Sequence, residues 1–177
     1  MTETRFPGDF CPSPASGPGR GTAERWLAYA HPSPDTALGE WNSAANLALI
    51  PLGRFFEAVR LPEPIVHGAV AAADPYTVSD RLGRCLGGGP VIHDPGFRRY
   101  YALVPPGTAR TWREPAVECL GDGTYLGVPR SDRTEYDEQT QASYWPVPMT
   151  RPGRLSSAVD VLALVMAGRC LEGEDEV

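Results

Sequence analysis

Nineteen glycines and nineteen prolines break this 177-residue chain into short pieces. Proline fixes φ and removes a backbone donor, and glycine tolerates turns, so the fold must be assembled from many turns and short elements. The length suits one domain with a real core. A hydrophobic content of 42% and a charged content of 21% are those of an ordinary globular protein. No apolar stretch approaches about 18 residues, so no membrane span is expected.

The apolar pattern gives a coarse order of elements. Residues 1–21 are rich in Pro, Gly, Ser and Thr and read as a disordered tail. Thr22 to Ala30 reads as a helix capped by Thr22, with Trp26, Leu27, Tyr29 and Ala30 on its apolar face. Asp35 to Trp41 reads as a second short helix. Asn46 to Leu52 is a continuous apolar run, read as a buried strand that turns at Gly53-Arg54 and pairs with Phe55 to Leu61. Pro62 to Arg84 reads as helix, broken near Asp74-Pro75, with Thr77 or Ser79 capping the second part. Val91 to His93 and Arg99 to Val104 read as a hairpin around Asp94-Pro-Gly96. A short helix is expected within 108–115. Val117 to Leu120 and Thr124 to Val128 flank Gly121-Asp-Gly123, a hairpin signal. Tyr144 to Val147 reads as an edge strand limited by prolines. Leu155 to Arg169 is the strongest helix, with Leu155, Val159, Leu162, Ala163 and Met166 on one face. Residues 171–177 read as an acidic tail. The order predicts an α+β domain over 22–170, a mostly antiparallel sheet with helices packed on it. A generic ferredoxin-like or RNA-recognition-like sheet is the alternative.

Charge narrows the function classes. The net charge is −6, but Glu172, Glu174, Asp175 and Glu176 supply four of those charges, and the remainder is near neutral. All 16 basic residues are arginine. Between Arg84 and Arg113 five arginines stand against one acid, Asp94, so a local anion-binding face is compatible with an acidic chain. A global basic surplus, the usual mark of a nucleic-acid binder, is missing. Cys11, Cys85, Cys119 and Cys170 form no C-x-x-C pair and have no histidine at ligand spacing, which argues against zinc and for reduced thiols in a cytoplasmic protein. The three histidines read as isolated structural or exposed residues, and Gly87-Gly88-Gly89 lacks the Lys-Ser/Thr of a phosphate-binding loop.

Three pieces carry a resemblance. They are Asn46-Leu-Ala-Leu-Ile-Pro-Leu-Gly53-Arg54 running on to Pro62, Gly89-Pro-Val-Ile-His93 followed by Arg98-Arg99-Tyr100-Tyr101 and Pro105-Pro-Gly107, and Glu118-Cys-Leu-Gly121-Asp122-Gly123-Thr-Tyr125-Leu-Gly-Val-Pro129. Together, over about residues 22–170, the chain resembles the small primase/polymerase-like proteins of actinobacteria, the N-terminal type of bifunctional DNA primase/polymerase. The resemblance implies a primase-type core and a nucleotidyltransferase site with Mg²⁺ or Mn²⁺ held by carboxylates. In that family an acid-x-acid pair lies on a strand, where residues two apart face one side. Glu57 matches the first acid, but Val59 stands in the second place, and the adjacent Arg60 is expected to pair with Glu57. Glu118 and Asp122 are the candidates for a third acid. The family's histidine after a glycine-rich turn is replaced by Arg98, Arg99 and Tyr100, and His93 precedes the turn.

The resulting expectation is a non-catalytic primase-like domain with no resident metal or cofactor. It would bind a nucleotide or single-stranded nucleic acid through an Arg54, Arg98 and Arg99 cluster with Tyr100 stacking on a base, or serve a regulatory role. Arg98 and Tyr100 are expected on one side of the strand, and Arg99 and Tyr101 on the other. The first alternative is a working primase/polymerase with rearranged ligands Glu57, Glu118 and Asp122, requiring Mg²⁺ or Mn²⁺. The second is a protein-interaction module that docks a partner through its Pro-rich or acidic tail.

Overall fold

The structure, a computed structural model, describes residues 20–172. The expected tails fall outside it, apart from residues 20–21 and 171–172, which are helical. Helices α1 (Arg20–Ala30) and α2 (Pro34–Trp41) precede strands β1 (Leu47–Pro51) and β2 (Glu57–Pro62). Then come α3 (Glu63–Val70), α4 (Pro75–Cys85), β3 (Val91–Asp94), β4 (Arg99–Val104) and the short α5 (Thr108–Thr111). The chain closes with β5 (Glu118–Leu120), β6 (Tyr125–Pro129), β7 (Tyr144–Val147) and α6 (Ala158–Glu172). The fold is α+β, with antiparallel pairing throughout.

A five-stranded sheet in the order β5-β2-β4-β3-β7 forms the middle layer. Alternation along its strands sends side chains to two cores. Val59, Leu61, Tyr100, Ala102 and Val104 pack against α3, α4 and α6. Ala58, Ile92, Leu103 and Trp145 pack against α1, α2 and a separate two-stranded ribbon of β1 and β6. Two indoles tie that ribbon down: Trp41 Nε1 donates to the Val128 carbonyl at 2.8 Å and Trp145 Nε1 to the Pro129 carbonyl at 3.0 Å.

Two expected hairpins do not form. β1 pairs with β6 instead of β2, and β5 pairs with β2 instead of β6. Both turns are present, but each carries the chain from one sheet to the other, and they do so at the same place. Leu52 N–H donates to the Thr124 carbonyl at 2.9 Å. Gly53 sits at φ 102°, where a Cβ would come within 2.8 Å of Asp122 Cα. Only glycine gives both the positive φ and the space that this double crossing needs.

Local departures have equally simple causes. β1 alternates rather than being buried throughout, with Leu49 54% exposed on the outer face of the ribbon. α1 begins at Arg20, so Thr22 lies inside it, and its buried residues are Ala23, Leu27, Ala28 and Ala30, with Tyr29 exposed. The cap of α4 is Asp74, whose carboxylate accepts the Thr77 N–H at 2.9 Å. Asp directly before Pro at the first helical position is the stronger start signal. In α6 the buried face is Val161, Leu164, Val165 and Gly168, while Val159, Leu162 and Met166 are exposed. The choice of face is set by Gly168, where a Cβ would collide with the Ile65 carbonyl of α3. The exposed set instead lines an apolar groove with Trp112 and Thr111.

Candidate functional site

The polar residues gather into two cavities at opposite ends of β2, about 16 Å apart along a six-residue strand. At the Glu57 end lies a cavity of about 650 Å³ lined by Gly53, Arg54, Glu57, Arg110, Gly121 and Asp122. The double crossing builds it, because that crossing brings the Gly53 turn against the Gly121–Gly123 turn. Arg54 is exposed, with its guanidinium carbon 5.2 Å from the centre of the Phe55 ring. Neither Arg54 nor Arg110 forms an ion pair among the described residues. Glu57 is only 3% exposed, and its Oε2 accepts the Ala109 N–H at 2.6 Å, tethering the start of α5.

The sequence candidates are therefore partly reunited. Arg54, Glu57 and Asp122 meet at this cavity, and Arg110 joins them without having been singled out. Glu118 does not. It is exposed on the opposite face of the sheet, where Arg60 Nη2 reaches its Oε2 at 2.7 Å. The expected Arg60–Glu57 pair is thus corrected: residues three apart on a strand face opposite sides, and Glu118 is the register partner of Arg60. Val59 is fully buried in the helix-side core. Among the described residues no three His, Cys, Asp or Glu side chains are placed to hold a metal ion. With one carboxylate tethered and its strand partner replaced by a core valine, these residues do not fit the two-ion centre that the resemblance implies.

The second cavity, about 440 Å³, lies at the Pro62 end on the helix side of the sheet. Glu63, His67, His93, Arg98, Tyr100 and Tyr144 carry its polar atoms. Arg98 occupies the β3–β4 turn at φ 55°. Its carbonyl accepts the Glu63 N–H at 3.1 Å, and its Nε donates to Glu63 Oε1 at 3.2 Å. Glu63 Oε2 lies 3.5 Å from His93 Nε2 without hydrogen-bond geometry, so that buried nitrogen has no hydrogen-bond partner. His93 Nδ1 is 3.2 Å from the Tyr144 hydroxyl, and His67 Nε2 is 3.2 Å from the Tyr100 hydroxyl. The Tyr100 ring stacks on His93 at 3.8 Å with 1° between planes.

Burial dominates the electrostatics here. It lowers His93 to about 4, against the opposing pull of Glu63, so the imidazole is neutral at physiological pH. Burial also lowers His67, raises Tyr100, and pushes Tyr144 up to about 12.

The expected cluster of Arg54, Arg98 and Arg99 is thus split. Arg54 belongs to the first cavity and Arg98 to the second, while Arg99 is exposed at the start of β4. Arg98 and Tyr100 do share one side. Tyr100, however, is 1% exposed and already stacked on His93, so it offers no open ring to a base. Of the three histidines read as isolated, His67 and His93 are in fact neighbours. Two signals were present: Glu63 and His67 are four apart, hence on one helix face, and His93 follows Val91 at the inward period of a strand. Compared with protein-family models, with curated proteins and with solved structures, the chain shows no match in any of the three.

Proposed function

We propose that this chain is a nucleotide-binding domain that does not carry out nucleotidyl transfer, with phosphates held by Arg54 and Arg110. One observation carries the reading: two arginines without carboxylate partners among the described residues line one cavity beside the Gly53 and Gly121 backbone. A guanidinium takes phosphate oxygens in a forked geometry, and bare backbone permits close approach. Asp122, exposed at the rim, is available to ribose hydroxyls. Glu57 is structural, since its carboxylate holds α5 in place.

Calorimetric titration with a nucleoside triphosphate and with a short single-stranded oligonucleotide, each with and without Mn²⁺, tests the reading. Metal-independent binding is expected, weakened by about tenfold or more in Arg54→Ala or Arg110→Ala, as loss of a charge-assisted phosphate contact implies. For a single strand contacting both arginines, log K should fall against log salt with a slope of about −1.4. Salt-independent binding, or binding indifferent to both substitutions, would overturn it. Mn²⁺-dependent primer extension that disappears in Glu57→Gln would replace it with the catalytic alternative.

A further inference from the structure

The second cavity has a composition the nucleotide reading does not use. It contains one exposed guanidinium, one carboxylate, two neutral imidazoles and several tyrosine rings. We propose that it is a separate binding site for a small flat monocarboxylate, an aromatic or heteroaromatic acid whose carboxylate sits on Arg98 and whose ring lies against Tyr136.

The argument begins at His93. It is 7% exposed, it lines the cavity, and its Nε2 has no hydrogen-bond partner. A neutral imidazole carries one N–H. Because Nε2 faces the Glu63 carboxylate, which can only accept, the favoured tautomer carries the N–H on Nε2 and leaves Nδ1 to accept from the Tyr144 hydroxyl. A buried donor whose facing acceptor stands at 3.5 Å is poorly satisfied, which is costly in a finished fold. The nearest acceptor, Glu63 Oε2, stands 3.5 Å off, while Oε1 of the same carboxylate is bound to Arg98 Nε. A second carboxylate on the terminal nitrogens of Arg98 shares the guanidinium with Glu63, loosens its hold and lets Oε2 close on His93. The ligand thus completes the donor–acceptor chain without having to reach the buried nitrogen itself.

Charge and shape set the class. The Nε edge of Arg98 is taken by Glu63, which leaves the terminal nitrogens, a two-point fork that matches a carboxylate. Arg98 is balanced by Glu63 before any ligand arrives, so a monoanion leaves one uncompensated charge where a dianionic phosphate leaves two, which disfavours phosphate. The walls are flat. Tyr136 is 36% exposed and offers its ring face, and Pro75 and Pro95 complete the slot. A volume of about 440 Å³ is within the range of small-molecule sites.

The test is calorimetry of the full chain with benzoate, acetate and inorganic phosphate as probes, repeated in the presence of saturating nucleotide. One-site saturable binding is expected for benzoate, weaker for acetate, absent for phosphate, and undisturbed by nucleotide. The Arg98→Asn variant should weaken benzoate by about tenfold or more, as loss of a charge-assisted fork implies. Asparagine suits the left-handed turn at φ 55°, so this variant is expected to fold. Arg98→Lys, which keeps the charge and loses the fork, should fall between it and the parent and serves if the asparagine variant does not fold. In ¹⁵N spectra the His93 imidazole should shift on benzoate addition. No saturable binding by the parent chain, equal affinity in both Arg98 variants, displacement of benzoate by phosphate, or an unmoved His93 resonance overturns the proposal. Nucleotide binding weakened in Arg54→Ala with benzoate binding intact separates the two sites.

Discussion

At the Glu57 end of β2, two arginines face a cavity with no carboxylate bound to either among the described residues. At the Pro62 end a single arginine is held by a backbone hydrogen bond and an ion pair to the same residue, Glu63. The first cavity is made by turns, and Arg54, Arg110 and Asp122 reach from it into water. The second is made by a helix start, a tight turn and stacked rings, and its His93, Tyr100 and Tyr144 are withdrawn from water. Open, unpaired charge suits a ligand that is itself highly charged and solvated. A desolvated network with one unmet donor suits a small ligand that supplies few charges. Two ends of one strand thus present different chemistry because different neighbours close over them.

The comparison can be broken by experiment. The largest effect is expected at the crossing that builds the first cavity. Gly53→Val places a β-branched side chain at φ 102° and within 2.8 Å of Asp122. Strain and overlap together should cost roughly 2–5 kcal/mol, read from the urea midpoint. An unchanged midpoint would mean that the crossing is not rigid.

The second effect belongs to the withdrawn network. His93 is held near 4 in the fold, below its unfolded value of about 6.5, so between those limits the unfolded chain binds more protons. Stability from this group is complete above about pH 6.5 and lost as pH falls toward 4, by roughly 3 kcal/mol at most. His67, lowered by burial, adds in the same direction. Unfolding curves at several pH values should show a shallower slope in this window for His93→Gln; an unchanged slope would mean the imidazole is not withdrawn from water.

Next in size, Glu57→Ala should cost about 2 kcal/mol, the value of a charge-assisted hydrogen bond, and remove hydrogen-exchange protection from the Ala109 amide. Retained protection would mean Glu57 does not tether α5. The smallest effect is expected for Arg60→Ala. It breaks a half-exposed ion pair with Glu118 worth less than about 1 kcal/mol and should leave both cavities unchanged. A large loss of ligand binding would show that Arg60 has a role its position does not explain.

Much of the element order was legible because it rests on local chemistry. The Asp94–Gly96 turn, the break at Asp74-Pro75 and the proline-limited β7 each follow from residues adjacent in sequence. Strand partners were less legible. Gly53-Arg54 and Gly121-Asp-Gly123 look like hairpin turns, and only the meeting of the two, nearly seventy residues apart, turns both into crossings. The face of α6 was misread for a related reason. Its apolar residues occur nearly all round, and a glycine fitting against the α3 backbone decides which of them are covered. At the site level, Glu57 and Asp122 were visible as residues but not as neighbours of Arg110. The network at His93 was hidden because its members lie on α3, β3, β4 and β7.

The crossing also dictates an order of assembly. Among the described residues, β3–β4 is the only paired set of strands that are consecutive in the chain. β1 must find β6 with Leu47 opposite Pro129, across 82 positions. Closing such a loop sacrifices chain entropy before any pairing compensates, so distant contacts form late and slowly. The β3–β4 hairpin, with Arg98 at its tip, is the natural nucleus, and the ribbon closes last. In refolding, the turn that carries one cavity should therefore acquire its shape well before the junction that carries the other.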